Sequence, residues 1–190
     1  MNRIAITGSC QKERTIFSNA LSAMTGIKIV TTPPYSLLSS KYKLDIDIAK
    51  CEWPDSFVYC LGAFTQRIMI ESKYEDAFIS NGSVFNELGW IKSRYPHIEL
   101  IYERSMIQSF ESVVVDYAMN EYDFIFHINS SDSSDPVDKC LKQIFSKRNF
   151  TTFYIDTQNK EDALNKMAEQ LEVKPLLSAK YAFLKNENLL

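Results

Sequence analysis

The sequence lacks the features that would indicate a nucleic-acid-binding or membrane protein. It has no excess of positive charge, because 24 aspartates and glutamates outnumber 21 lysines and arginines, whereas a basic surface is expected of a protein that binds nucleic acid. No apolar run approaches the ~20 residues of a membrane-spanning helix, and the N-terminus has no signal-peptide pattern. We therefore predict no nucleic-acid partner, no membrane partner and a cytoplasmic location.

Cysteine is also sparse, and its spacing does not indicate a metal site. The four cysteines are far apart and form no C-x-x-C pair, which is the spacing typical of zinc centres: Cys10, Cys51, Cys60 and Cys140. Neither histidine has a recognisable catalytic context in the sequence. We expect His97 and His127 to be structural polar residues.

Apolar residues are plentiful and follow an alternating pattern. They make up 45% of the 190 residues, with 13% aromatic, which is enough for a sizeable core. Apolar runs predict strands at residues 3–7, 27–31, 77–80, 122–128 and 153–155. Helical spacing and capping signals predict helices at 15–24, 55–73, 84–95, 103–121, 136–147 and 161–171, with Asp55 or Ser56 as the N-cap of the second.

This alternation predicts an α/β fold, namely a three-layer αβα architecture around a mainly parallel, five-stranded sheet. Residues 1–172 are expected to form one domain, followed by a C-terminal tail at 173–190. The segment 44–48 fits either an edge strand or the start of a helix. Ligands of such folds bind at the carboxyl ends of the strands.

The first thirty residues have the order of a phosphate-binding loop: a strand, a loop at 8–15 and a helix. The P-loop pattern is Gly, four residues, Gly, Lys, then Ser or Thr. Gly8 and Thr15 match it, whereas Glu13 replaces the second glycine and Arg14 replaces the lysine. The residues predicted to bind a nucleotide or a small phosphorylated ligand are Gly8, Ser9, Cys10, Gln11, Lys12, Glu13, Arg14 and Thr15.

In this order of elements, residues 1–171 resemble the nucleoside and nucleotide kinase branch of P-loop proteins, especially the nicotinamide riboside kinase-like, AAA-type ATPase domains. The resemblance implies ATP and Mg²⁺ as cofactors, with Thr15 as the metal ligand and a degenerate Walker A motif. It also implies that Gln66 and Arg67, on the helix before the third strand, contact the substrate. The Asp-Arg-Ser motif of the family corresponds to Asn81-Gly82-Ser83, and its arginine-bearing lid to residues 130–142.

The sequence departs from the family where charge is required. Glu13 puts an anion where phosphates should lie, and two unit charges ~4 Å apart repel by about 4 kcal/mol at an effective dielectric of ~20. Asn81 cannot accept a proton as an aspartate would, Gly82 removes an arginine, and no arginine occurs in the lid before Arg148. We therefore expect an impaired enzyme that retains nucleotide or phosphate binding at most.

Two other functions remain open on the sequence. The first is an active but divergent nucleoside or nucleotide kinase, or ATPase, that uses Arg14 or Lys12 for the lysine and Asp45, Asp47 or Glu87 for magnesium. The second is an interaction protein on the same fold that binds no nucleotide. The sequence indicates neither a substrate nor an oligomeric state.

Overall fold

A computed structural model describes residues 2–31 and 52–172, which contain five strands and six helices. The strands are β1 (Arg3–Thr7), β2 (Ile29–Thr31), β3 (Phe78–Asn81), β4 (Phe124–Ile128) and β5 (Thr152–Ile155). The helices are α1 (Gln11–Thr25), α2 (Asp55–Glu71), α3 (Val84–Arg94), α4 (Ile101–Glu121), α5 (Pro136–Arg148) and α6 (Lys160–Gln170). The segment 44–48 and the tail from 173 onward lie outside the described residues.

The strands form one parallel sheet in the order β2-β3-β1-β4-β5. The predicted α/β class with a parallel, five-stranded sheet is thus confirmed, and β1 lies at the centre of that sheet. In register, Ile6 pairs with Asn81 on one side, and Thr7 pairs with His127 on the other. The carboxyl ends of β1, β3 and β4 therefore meet at one edge of the sheet.

Two apolar layers cover the sheet. One layer packs α1 and α6 on alternate strand residues such as Ile4, Ile6 and Phe126. The other packs α2, α3, α4 and α5 on the opposite residues, including Ala5 and Ile125. Because side chains alternate along each strand, both faces of the sheet are covered, and the strands are apolar on both faces over most of their length.

Several helix ends follow from local sequence signals. Ser83 caps α3, Asp135 caps α5 with Pro136 in its first turn, and Asn159 caps α6. Gly26 ends α1 at a φ of 74°, a conformation that glycine adopts readily. The predicted cap of α2 is wrong: that helix starts at Asp55 after Pro54, and no side chain caps it.

Candidate functional site

The loop between β1 and α1 is much shorter than predicted. Helix α1 begins at Gln11, so only residues 8–10 separate it from β1, and the predicted bounds of 8–15 for the loop and 15–24 for the helix are wrong. The backbone amide of Arg14 already donates to the Cys10 carbonyl at 3.2 Å. The physical reason is composition: Gln11, Lys12 and Glu13 favour a helix, and the glycine that would interrupt it is missing.

Gly8 is the tightest point of this short loop. Its φ is 144°, and a β-carbon at this position would lie 2.6 Å from the carbonyl oxygen of Ile128 at the end of β4. Only glycine fits such a close backbone approach. The loop is thus held against β4, and the first turn of α1 faces the shared edge.

Arg14 folds back on this loop. Its Nη1 donates a hydrogen bond to the Gly8 carbonyl oxygen, which also accepts from Asn86 Nδ2 at 2.6 Å. The Asn86 side-chain oxygen in turn accepts from the Thr7 hydroxyl at 3.0 Å. Asn86, on α3, therefore holds the end of β1 in place. Nothing local in the sequence indicates this contact, because Thr7 and Asn86 are 79 residues apart.

Thr15 and Asn81 meet across the edge. Asn81 Nδ2 donates to the Thr15 hydroxyl oxygen at 3.1 Å, and that hydroxyl donates to the Gln11 carbonyl at 3.0 Å. The residue expected to bind magnesium thus makes both of these bonds within the protein. The structure does bring the two predicted positions, Thr15 and Asn81, together.

Two guanidinium groups converge on Gly82, the residue that we expected at the arginine position of the motif. A β-carbon at position 82 would lie 3.3 Å from Arg14 Nε and 3.6 Å from Arg67 Nη2. Gly82 also has a φ of 80°, which an L side chain would strain. The missing side chain therefore leaves room for arginines from α1 and α2.

Arg67 forms a buried ion pair that its sequence neighbours do not reveal. Its Nη2 donates to Glu87 Oε1 at 2.8 Å, and the two residues are 3% and 4% exposed. Burial alone would lower the pKa of Arg67, but the charge and hydrogen bond of Glu87 reverse this and raise it. Glu87, considered above as a magnesium ligand, is thus held by Arg67 instead.

Some polar atoms around this pair have no hydrogen-bond partner within the described residues. They are Gln66 Oε1, Arg67 Nε and Glu87 Oε2. Gln66 is half-buried and directly precedes Arg67 on α2. Unsatisfied buried polar atoms are costly, so this cluster has both donor and acceptor capacity to offer a polar ligand.

Glu71 is a second buried carboxylate that sequence reasoning missed. It accepts hydrogen bonds from Ser80, from Tyr117 at 2.8 Å and from Tyr122 at 3.0 Å. Burial raises the pKa of Glu71, although Arg67 and the three hydroxyls counteract this effect. Glu71 thereby ties α2 to β3 and α4, and Arg67 lies within reach of its charge.

The segment 130–142, which we expected to correspond to a lid, is held by carboxylates. Asp138 accepts from His127 Nε2 at 2.9 Å, from the Ser130 amide at 3.1 Å and from Lys142 at 2.7 Å. Burial lowers the pKa of His127, and its side chain is fully buried, as a structural histidine would be. Asp135 caps the helix through the amides of Val137 and Asp138.

His97, expected to be structural, lines a cleft of about 420 Å³ between α3, α4 and α5, away from this edge. Cys10 is exposed at the start of α1.

Among the described residues, no three histidine, cysteine, aspartate or glutamate side chains come together as a metal site would require. No helix in the described ranges is long and apolar enough to span a membrane.

No protein-family model matches the chain, and no curated protein matches it. Several solved structures, in contrast, match this chain in fold. The deoxyadenosine kinase of M. mycoides with bound dATP is 15% identical, with a TM-score of 0.57 over 90% of this chain and 99% of that one. The same enzyme with bound dCTP gives a TM-score of 0.55 at 15% identity, over 90% and 98%.

The NadR protein in complex with NAD and AMP-PNP gives a TM-score of 0.62 at 12% identity. The match covers 92% of this chain and 51% of that one. At these identities the likeness concerns the fold. The chain therefore has the fold of the P-loop kinases that act on nucleosides, as its order of elements predicts.

Proposed function

We propose that this chain is a P-loop kinase-fold protein with impaired catalysis that retains binding of a nucleotide or small phosphorylated ligand. The observation that carries the proposal is the position of Arg14. It stands for the lysine that reaches the β- and γ-phosphates in P-loop proteins, yet its guanidinium donates to the Gly8 carbonyl of its own loop. A side chain held in this way does not extend toward a triphosphate.

The groups available for magnesium also argue against phosphoryl transfer. The Thr15 hydroxyl is bonded to Gln11 and Asn81, and Asn81 supplies an amide where a carboxylate is needed for a hard cation or a proton. These residues do not fit a magnesium-bound triphosphate. Losing one charge-stabilising contact typically costs ~10²-fold or more in rate, so several such losses leave activity near background.

Two features support retained binding of an anionic ligand at this edge. The side chain of Cys10 does not cap α1, so the amides of its first turn and the positive end of its dipole face the edge. The Arg67 guanidinium also lies beside Gly82 on the same edge. Glu13, in that first turn, opposes this attraction and favours ligands with less charge than a triphosphate.

Gln66 and Arg67 are the proposed substrate contacts. Gln66 Oε1 and Arg67 Nε are an acceptor and a donor with no partner in the described ranges, and both belong to α2 where it approaches the end of β3. A nucleoside offers the matching donors and acceptors. Glu87 Oε2 adds a further acceptor on α3.

Isothermal titration calorimetry with ATP, a nucleoside monophosphate and inorganic phosphate, with and without Mg²⁺, tests the binding. We expect ATP to bind more weakly than low micromolar, and Glu13→Gly with Arg14→Lys to raise its affinity at least 10-fold. Glu13→Gln should give part of this gain, whereas Glu169→Gln, the same charge change on α6, should give none. Low-micromolar binding of ATP by the native chain would contradict the argument from Glu13.

A coupled assay of ATP turnover across a panel of nucleosides tests the loss of catalysis. We expect turnover near background in the native chain. Steady turnover that disappears in Arg14→Ala or Lys12→Ala would instead identify an active, divergent kinase or ATPase. If neither nucleotides nor phosphate bind at millimolar concentration, the chain is an interaction protein on this fold.

A further inference from the structure

The cleft between α3, α4 and α5 shares no lining residue with the edge described above. Its volume is about 420 Å³, and its lining comes from the end of α3, the loop that follows, the first three turns of α4 and the end of α5. Three helices and a loop thus surround it, and its size suits a small molecule. We call it the helix-end cleft.

The lining of the helix-end cleft carries an excess of positive charge, although the whole chain has a net charge of −3. Each of the three helices supplies one cation, namely Lys92 on α3, Arg104 on α4 and Lys147 on α5. Among the described residues, two carboxylates line the same cleft, Glu99 and Glu111. An excess of positive charge in a concave site attracts anions.

Glu111 is already neutralised by cations of the chain. It is 7% exposed and accepts hydrogen bonds from Lys92 and, at 3.4 Å, from Arg148. Although burial acts to raise the pKa of Glu111, the hydrogen bonds and charges of Lys92 and Arg148 lower it. Glu111 therefore holds Lys92 in the wall of the helix-end cleft, and two cations of the chain balance its one negative charge.

The other two cations of the cleft have no carboxylate partner. Within residues 2–31 and 52–172, neither Arg104 nor Lys147 forms an ion pair. Arg104 Nη2 donates to the Ile98 carbonyl oxygen at 2.9 Å, which holds the guanidinium in place. Because a guanidinium has five N–H donors, this bond leaves others for a ligand. The remaining carboxylate, Glu99, is exposed.

An apolar wall lies beside these cations. Ile107 is 8% exposed, and Tyr95 and Ile98 are half-buried and pack against the same core cluster. All three residues line the helix-end cleft. A ligand with an apolar body gains free energy when it buries that body against such a wall.

We propose that the helix-end cleft binds a small organic phosphate, with its anionic head between Arg104 and Lys147 and its apolar body against Ile98 and Ile107. A phosphomonoester carries a charge of about −1.5 to −2 near pH 7, which matches two cations that have no carboxylate partner. The planar fork of an arginine binds phosphate through paired hydrogen bonds. This site is independent of the edge, so its test does not depend on the function proposed above.

NMR titration of the amides of the full chain with phenyl phosphate, up to about 10 mM, tests the proposal. We expect a dissociation constant of about 1 mM or below, with shifts at the amides of Lys92, His97 and Gln108. Shifts at residues 8–14 would report binding at the edge and are observed separately. The proposal is overturned if no amide of the helix-end cleft shifts at the highest concentration.

Two further probes separate the parts of the ligand. Inorganic phosphate should bind the cleft about 5-fold more weakly than phenyl phosphate, because it has no apolar body to bury. Phenol, which lacks the charge, should not shift these amides. Equal affinity for inorganic phosphate would overturn the role of the apolar wall, and equal affinity for phenol would overturn the role of the cations.

Charge variants test the named residues. Arg104→Gln and Lys147→Gln should each weaken binding of phenyl phosphate about 5-fold, whereas Lys166→Gln, the same charge change at an exposed position of α6, should leave it unchanged. Glu99→Gln should tighten binding about 2-fold, because it removes a carboxylate that repels the ligand; impaired folding does not produce such a gain. A folded Arg104→Gln, Lys147→Gln double variant that binds as the native chain does would overturn the assignment.

Discussion

The two halves of the sheet's carboxyl edge are stabilised in different ways. At β1 and β3 the edge depends on buried charge, namely the Arg67–Glu87 pair and the hydrogen-bonded Glu71, and α1 begins without a side-chain cap. At β4 and β5 it depends on capping, since Asp135 closes the start of α5. The start of α5 is thus capped by a carboxylate of the chain, whereas the start of α1 has an acidic residue, Glu13, in its first turn but no side-chain cap.

The largest effect is expected from removing the buried cation of the first half. Arg67→Met would leave Glu87 buried without its partner, and breaking a buried pair from one side costs about 3–5 kcal/mol. Urea unfolding followed by circular dichroism measures this loss. The double variant Arg67→Met with Glu87→Leu should recover most of it, and equal instability of the single and double variants would contradict the pairing.

The next largest loss of stability is expected from adding a side chain at Gly82, where two arginines lie close by. Gly82→Ala should cost about 2 kcal/mol, because it combines a strained positive φ with contact to the Arg14 guanidinium. Gly26→Ala is the matched control, since its φ is 74° but its β-carbon meets nothing within 4 Å, and it should cost about 1 kcal/mol from strain alone. Equal losses in thermal unfolding would show that the arginines do not crowd position 82.

Replacing the residue before α5 should lower the free energy of unfolding more than replacing the residue before α1, by about the contribution of one helix cap. Asp135→Ala removes the bonds to the amides of Val137 and Asp138 and should cost about 1 kcal/mol. Cys10→Ala should cost close to nothing, because the Cys10 side chain makes no cap. A comparable loss in both variants, measured by urea unfolding, would remove the distinction between the two halves.

Through His127, the half of the edge at β4 and β5 should also make the free energy of unfolding depend weakly on pH. Burial lowers the pKa of His127 in the folded state, so on acidification the unfolded chain takes up this proton first. The contribution of neutral His127 is complete above pH 6.5 and is lost as the pH falls through the folded pKa. Asp138, Lys142 and Asp135 are the charged groups around this ring.

His127→Gln should flatten this slope in the free energy of unfolding between pH 7.5 and 5, because glutamine takes up no proton in this range. Its amide can still donate to Asp138, so the hydrogen bond is kept. His97→Gln, which replaces the other histidine of the chain at an exposed position, is the matched control variant. An unchanged slope in His127→Gln would assign the pH dependence to other groups.

The sequence predicted the order of strands and helices well because that order follows from local apolar runs. It predicted the start of α1 badly, since the P-loop pattern implies a loop, whereas Gln11, Lys12 and Glu13 continue a helix in the absence of the second glycine. The sequence could not predict the pairs Arg67–Glu87 and Thr7–Asn86, for a different reason. Their members are 20 and 79 residues apart, and nothing local in Asn86 or Glu87 distinguishes them from other polar residues on a helix.

The central position of β1 has a consequence for synthesis on the ribosome. β1 is made before the other four described strands, yet its two neighbours are β3 and β4, and β4 ends only at Ile128. At translation rates of about 5–20 residues per second, this strand waits about 6–25 s before both partners exist. Until then β1 can pair only with β3, and one side of β1 stays without a partner, so we expect the nascent chain to be prone to aggregation before residue 128 is made.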